Sequence, residues 1–352
     1  MKTALFIHIA LTAIFFVSGC QGNAPEAPLT EREIAEKAAL GDETKLMLIA
    51  EAHKILDAPA PTDAEKQAIA QRALDNMVRI DGGEFIMGVS PERLGGDWEG
   101  WKPVEGKRQT ASIRDTAFHE HLVRLDTYYI SKYETTYEDF DAFKRDTGRE
   151  IRFGYEAYGV YKNLQENILE CCRAPRKPAA ADWFEADAYC KWLGDISGQP
   201  VSLLTEAQWE YAARERGKWL MFATKWGGVD ADTNGAGDVT VQVNLLSDSM
   251  NDLGLYFMSG NLSEWVLDWY APDYYQHSPV DNPVNDNRPA TVTIGVRGQE
   301  KGYAKVHRGG GQFYDRSMGL SVNVFNRFYR EPEHYSFGSV GIRCGVNTDQ
   351  AL

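Results

Sequence analysis

Beyond its first seventeen residues the chain has no apolar run long enough to cross a bilayer, which takes about 20 residues. It is also short of basic residues. Lys and Arg total 37 against 51 Asp and Glu, a formal net charge of −14. That balance argues against nucleic acid, whose phosphates need a basic surface, and against polybasic docking on anionic lipid. The seven His do not cluster. His119 and His121 alternate on an expected strand, where they either chelate a metal or simply stand exposed, the commoner outcome. No Gly-x-Ser-x-Gly elbow is present, so hydrolase chemistry of that kind has no support. The five Cys lack the paired short gaps of a zinc site, and no internal repeat is visible.

What is present begins at the first residues. Lys2 precedes an apolar run over residues 5–17, and Val17-Ser18-Gly19-Cys20 follows where that run stops. The pattern reads as a signal peptide over residues 1–19 ending in a lipobox, with Cys20 acylated after cleavage. Gln21, in place of Asp, implies sorting to the outer membrane. Residues 20–28 then form a small, proline-rich tether. The expectation is a periplasm-facing protein anchored by lipid rather than spanning the membrane. Without Cys20, four cysteines remain (Cys171, Cys172, Cys190 and Cys344), an even number for an oxidising compartment. The 43% hydrophobic and 12% aromatic content fits a globular core.

Residues 29–76 read as two or three short helices, either a stalk or a small cap. Thr30 with Glu33, and Thr62 with Glu65, have capping-box spacing. From residue 77 the texture changes. Residues 77–88 read as two short strands joined at Gly82-Gly83. Residues 123–133 alternate like a strand. Residues 136–147, 183–196 and 206–216 have helical spacing. Short strands among many Gly, Asn and Asp follow, so the fold class is α+β with much irregular chain. Trp209, Tyr211 and Trp265 read as core aromatics. Glu206 and Glu264, flanked by aromatics, read as buried carboxylates bonding backbone amides.

Several segments share one pattern. Val78-Arg79-Ile80-Asp81-Gly82-Gly83-Glu84-Phe85 opens it, and Tyr128-Tyr129-Ile130-Ser131-Lys132-Tyr133-Glu134-Thr135-Thr136 follows. Ala186-Asp187-Ala188-Tyr189-Cys190 and Leu204-Thr205-Glu206-Ala207-Gln208-Trp209-Glu210-Tyr211-Ala212 are the most specific stretches. Gly260-Asn261-Leu262-Ser263-Glu264-Trp265, Arg308-Gly309-Gly310 and Gly341-Ile342-Arg343-Cys344 close the series. In this order, over residues 77–347, the chain resembles the sulfatase-modifying-factor domain of formylglycine-generating enzymes. The resemblance implies a C-type-lectin-like fold. It also implies a disulfide between Cys190 and Cys344. Cys171 and Cys172 match nothing in it. A vicinal bridge, a reactive dithiol and bonds to other chains all stay open for them.

The resemblance breaks at the reactive centre. Formylglycine-generating enzymes oxidise a cysteine of sulfatases with copper held by two cysteines shortly after the Arg-Gly-Gly motif. Those two positions are Tyr314 and Gly319 here. Neither replaces a soft thiolate ligand for Cu(I), so no copper and no oxidase activity are expected. Calcium is the remaining metal candidate. Asp230, Asp232 and Asn234 have the oxygen spacing that opens a calcium loop, and Gly260, Leu262 and Glu264 match calcium-ligand positions of relatives. Phe257 stands where an Asn ligand is expected, and a solvated polar turn is the equal alternative.

Two main functional readings follow, from different classes. In the first, the chain is a pseudoenzyme, a non-catalytic envelope lipoprotein that binds a protein or glycan partner. Examples are a secretion-system accessory or a periplasmic toxin-neutralising (immunity) protein. Its binding face would be Gln312, Phe313, Tyr314, Asn323, Asn326, Arg327, Tyr329 and Arg330, a composition suited to interfaces; the plain alternative places half of the aromatics in the core. In the second, it is a periplasmic enzyme that matures a secreted peptide or siderophore without copper. Tyr314, Asp315, Arg316, Arg327 and Glu331 would then carry the chemistry. A structural envelope subunit, self-assembling and without a ligand pocket, is a third reading.

Overall fold

The computed structural model describes residues 54–90, 117–152, 174–229, 242–289, 292–293, 300–310, 322–334 and 340–352. Helix α1 (Asp63–Asp75) starts where the sequence places it. The Thr62 side chain accepts from Glu65 N, and the Glu65 side chain accepts in return from Thr62 N, a reciprocal capping box. This helix is no free stalk. Ile69 is buried with the aromatic cluster of the domain, and Gln67 Nε2 donates to Ile196 O at 3.2 Å.

Strands β1 (Met77–Ile80) and β2 (Gly83–Met87) do not form a hairpin. The expected single strand over 123–133 is likewise two, β3 (His121–Leu125) and β4 (Tyr128–Ser131). β1 pairs antiparallel with β4, and β2 pairs antiparallel with β3. At the crossing, a Cβ on Gly82 would meet Leu125 O at 2.4 Å, so the two chain segments approach backbone to backbone.

Helix α2 (Tyr137–Asp146) is capped by Thr136. Helix α3 (Trp183–Ser197) is capped by Asp182 and ends at Gly198, whose φ of 68° only glycine adopts freely. Helix α4 (Glu206–Ala213) follows β5 (Val201–Leu203), and Thr205 and Gln208 close a second capping box. It stops three residues before the expected end. Glu215 and Arg216 take positive φ values there, and Arg216 N donates back to Tyr211 O.

The remaining strands are β6 (Ser263–Trp269), β7 (Val292–Thr293), β8 (Glu300–Lys301), β9 (Lys305–Arg308), β10 (Phe328–Arg330), β11 (Val340–Gly341) and β12 (Cys344–Val346). Two four-stranded sheets result, ordered β1-β4-β12-β5 and β10-β9-β6-β11, and the fold is α+β. One apolar cluster joins α1, α2 and α3 to the first sheet. The other lies between α4, β2, β3 and the second sheet. Trp209 and Trp265 are fully buried, one in each cluster. Cys190 of α3 and Cys344 of β12 are disulfide-bonded, with Cα atoms 5.7 Å apart.

Candidate functional site

Glu206 and Glu210 lie one turn apart, on the same face of α4. Both meet arginines from distant parts of the chain. Arg308, at the end of β9, donates from Nη1 to Glu206 Oε1 at 2.7 Å and from Nη2 to Glu210 Oε2 at 2.7 Å. Arg327, just before β10, donates from Nε to Glu206 Oε1 at 2.8 Å and from Nη2 to Oε2 at 3.0 Å. Arg214 Nη1 donates to Glu210 Oε1 at 2.8 Å. The Tyr275 hydroxyl bonds Glu206, and its ring lies 4.1 Å below the Arg327 guanidinium. Every member of the cluster is buried. Burial alone would raise the Glu206 carboxyl, but Arg327 and Arg308 outweigh it and bring the group down to about 2. Glu206 therefore stays ionised at any working pH and has no proton to give.

This network fixes Arg308 and Arg327, which lie on either side of residues 311–321 in the sequence. Arg308 leads into Gly309-Gly310, and its Nη2 also bonds Val324 O at 2.6 Å on the far side of that segment. Gly309 has φ +93°, and a Cβ there would lie 3.1 Å from Trp209 Cζ2. Asp268 completes the surroundings. Its two oxygens accept from Glu206 N at 2.7 Å and Asn285 N at 2.8 Å. Burial, then the charge of Glu206, pushes it up to about 6.

A second buried network sits at the Gly260-Asn261 turn. Glu264 Oε1 accepts from Arg343 Nε at 2.8 Å and Nη2 at 2.6 Å, while Oε2 accepts from Trp209 Nε1 at 2.6 Å. Glu134 accepts from Asn261 Nδ2 at 2.6 Å and from Leu262 N at 3.0 Å. Burial, then the nearby Glu264 charge, pushes Glu134 up to about 8. The Glu264 carboxylate already faces a guanidinium and an indole N–H, a poor fit for a calcium ion, which takes six to eight oxygen ligands. Among the described residues no group of three or more His, Cys, Asp and Glu is placed to hold a metal. The His121 ring meets the Tyr275 ring at a tilt of 48°, with centroids 4.6 Å apart, and its neighbour His119 is exposed.

Accessible polar groups line two clefts. A cleft of about 400 Å³ is lined by Gly302, Tyr303, Glu331, Glu333 and His334. It meets a second cleft of about 270 Å³ at Glu333. Nearby, Lys305 Nζ lies 4.0 Å from each of the Trp183 and Trp269 rings. Burial lowers this amine to about 8. Arg288 covers the Tyr303 ring at 3.3 Å.

The candidate residues from sequence divide sharply. Gln312, Phe313, Tyr314, Asp315, Arg316, Asp230, Asp232 and Asn234 lie outside the described residues, as do Cys20, Cys171 and Cys172. Asn323, Asn326 and Arg327 are buried, so they are not part of an exposed binding face. Asn323 Oδ1 instead accepts from Phe325 N and Asn326 N, both at 3.0 Å, and shapes the turn before β10. Arg327 is spent on Glu206. Tyr329 and Arg330 are half-buried, and Glu331 is exposed at the cleft. Glu206 and Glu264 are buried as expected, but guanidinium groups rather than backbone amides satisfy them. Tyr303, Glu333 and His334 were missed by the sequence reading. The polar run Arg330-Glu331-Pro332-Glu333-His334 was the available signal for the last two, and nothing local marked Tyr303.

The family model of the sulfatase-modifying factor enzyme 1-like domain matches residues 62–348. This chain belongs to that family. Among its relatives, the formylglycine-generating enzyme of Streptomyces coelicolor is 28% identical over 341 residues, covering 83% of this chain and 96% of that protein. The formylglycine-generating enzyme of Thermomonospora curvata is 27% identical over 325 residues, covering 79% of this chain and 95% of the relative. Among solved structures, PvdO from Pseudomonas aeruginosa superposes with a TM-score of 0.53 at 22% identity, covering 77% of this chain and 94% of that one, a likeness of fold. Tyr314 and Gly319 offer no thiolate, so the side chains at these two positions do not suit Cu(I).

Proposed function

We propose that this member of the family is a non-catalytic envelope lipoprotein, held by an acylated Cys20, that binds a protein or glycan partner. A secretion-system accessory and a toxin-neutralising protein both fit that role. One observation carries the reading: the positions that hold copper thiolates in the oxidases are Tyr314 and Gly319, while Arg308 and Arg327, on either side of them in sequence, are both held by buried Glu206. The scaffold is kept without the reactive pair. Arg308 and Arg327, which flank that stretch in sequence, are fixed by buried, hydrogen-bonded charge, which suits a scaffold kept for binding.

Two measurements test it. The purified protein, supplied with Cu(I) and a sulfatase-derived cysteine peptide, should form no formylglycine; turnover would overturn the reading. A photo-crosslinker placed at Arg330 or Glu331 in the native envelope should capture one discrete partner. The same group at Asp75, on exposed α1, should not. Equal labelling from both places, or none at Arg330 and Glu331, counts against binding through this face.

A further inference from the structure

The smaller cleft, beyond Glu333, has a charge pattern that the arginine network does not explain. Glu150, Asp182, Glu185 and Glu333 line it, against Arg149 and Arg152. With the Lys144 ammonium that pairs with Glu185, three cationic groups meet four carboxylates around a cavity of about 270 Å³.

Glu185 makes the imbalance specific. It sits in the first turn of α3, and its side chain is only 7% exposed. Its Oε1 faces Lys144 Nζ at 3.0 Å and Arg152 Nη2 at 3.4 Å. Its Oε2 has no hydrogen-bond partner among the described residues. A buried carboxylate oxygen left unpaired is unfavourable, so an added donor there is favoured. Asp182 is engaged by one oxygen as the α3 cap, its Oδ1 accepting from Glu185 N at 2.8 Å. Its Oδ2 meets Arg152 Nη1 only at 3.6 Å, an ion pair without a hydrogen bond.

The walls fit the stem of the same kind of ligand. Phe184 is 47% exposed at the cleft edge, an unusual exposure for a phenylalanine beside so many charges. Trp183 N donates to Pro332 O at 2.9 Å, which fastens the turn carrying Glu333 to the start of α3. Tyr303 Oη donates to Glu333 Oε1 at 2.6 Å and holds that carboxylate at the junction of the two clefts. The cleft is therefore built from fixed elements. It offers an apolar flank, a buried acceptor lacking a donor, and an excess of negative charge.

We propose that this cleft is a subsite for a basic side chain of a protein partner, an arginine or lysine whose methylenes lie on Phe184 and whose cationic head reaches Glu185 and Glu333. Long basic side chains have this division between apolar stem and charged head, and a guanidinium supplies planar paired donors to carboxylates. The assignment rests on the partner-binding reading and names the chemistry of the partner's contact.

The test uses the full-length protein in detergent, with N-acetyl-arginine amide as probe and the neutral isostere N-acetyl-citrulline amide as control. Binding is followed by NMR or calorimetry at low salt. The arginine probe should bind at least about ten-fold more tightly, a difference of about 1.4 kcal/mol, and should weaken as salt rises. Glu185→Gln should abolish that preference. Because Glu185 also holds buried Lys144, the exposed Glu333→Gln is the second variant. It should retain the wild-type melting temperature and reduce the preference several-fold. Equal binding of the two probes overturns the subsite, and so does a preference unchanged in both variants. If the arginine probe binds here but no partner is crosslinked at Arg330 or Glu331, the cleft's preference for a cation stands, while its assignment to a protein partner falls with the partner-binding reading. The reverse outcome removes the subsite alone.

Discussion

Arg327 grips Glu206 with two parallel hydrogen bonds, Nε to Oε1 at 2.8 Å and Nη2 to Oε2 at 3.0 Å. The fork geometry matches the carboxylate plane, and Arg308 adds a third bond to Oε1 at 2.7 Å. Replacing Glu206 by Gln leaves two buried guanidinium groups short of their counter-charge. Breaking a buried pair in this way costs about 3–5 kcal/mol. Urea denaturation should show that loss for Glu206→Gln, and a loss under about 1 kcal/mol would mean the network does not hold the fold. The pH sign is fixed by the lowered carboxyl. Since the folded value is about 2 against an ordinary 4.5, the stabilisation is full above pH 4.5 and fades as pH falls towards 2. The gap between wild type and variant should close over that range.

Asp268 has the opposite sign. Burial raises its carboxyl from 3.8 to about 6, with the Glu206 charge adding to the shift. A raised folded value means its contribution is greatest below pH 3.8 and is lost as pH rises through about 6. Asp268→Asn removes that titration, and it also disturbs one of the two backbone N–H contacts at every pH. The variant should therefore be less stable than wild type by more at pH 4 than at pH 7.5. Stability curves at the two pH values check this, and an identical difference at both would show that Asp268 does not titrate between them.

The sequence was most legible where structure is local. Thr62 and Glu65 are three residues apart, and their reciprocal cap forms as spaced. The ends of α2 and α3 were readable for the same reason. Pairing was not readable. Gly82-Gly83 reads as a hairpin turn, yet β1 finds β4 and β2 finds β3, 34 to 54 residues away along the chain. Nothing local encodes such registers. The buried charges failed in the same way. Glu206 and Glu264 could be recognised as buried carboxylates, but their partners Arg308, Arg327 and Arg343 come late in the chain. Arg327, Asn323 and Asn326 share the composition of an interface and serve the interior instead. Composition alone cannot separate an arginine that waits for a partner from one that has found Glu206.

The disulfide between Cys190 and Cys344 closes a sequence separation of 154 residues, tying α3 to β12 across the aromatic cluster. Cross-linking so long a loop restricts the unfolded chain and stabilises by about 2–5 kcal/mol. The Cys190→Ala, Cys344→Ala variant should melt well below wild type. Reductant should lower the melting temperature of wild type and leave that variant unchanged. Equal melting of the two oxidised proteins would mean the bond adds nothing to the fold.

Gly309 links the arginine network to the segment that carries Tyr314. Its φ of +93° lies where a side chain is strained, and an added Cβ would sit 3.1 Å from Trp209 Cζ2 and 3.3 Å from Met258 O. Trp209 cannot retreat easily, because its Nε1 is bonded to Glu264 Oε2 at 2.6 Å. Gly309→Ala must therefore strain the backbone and press on a fixed indole. The expected cost is about 1–3 kcal/mol. It should appear as a lower urea midpoint, with altered tryptophan fluorescence in the native state. The same variant should also weaken crosslinking from Arg330, because Arg308 beside it bonds Val324 on the way to β10. Full stability in Gly309→Ala would show that the turn relaxes freely and that Trp209 yields to the added methyl group.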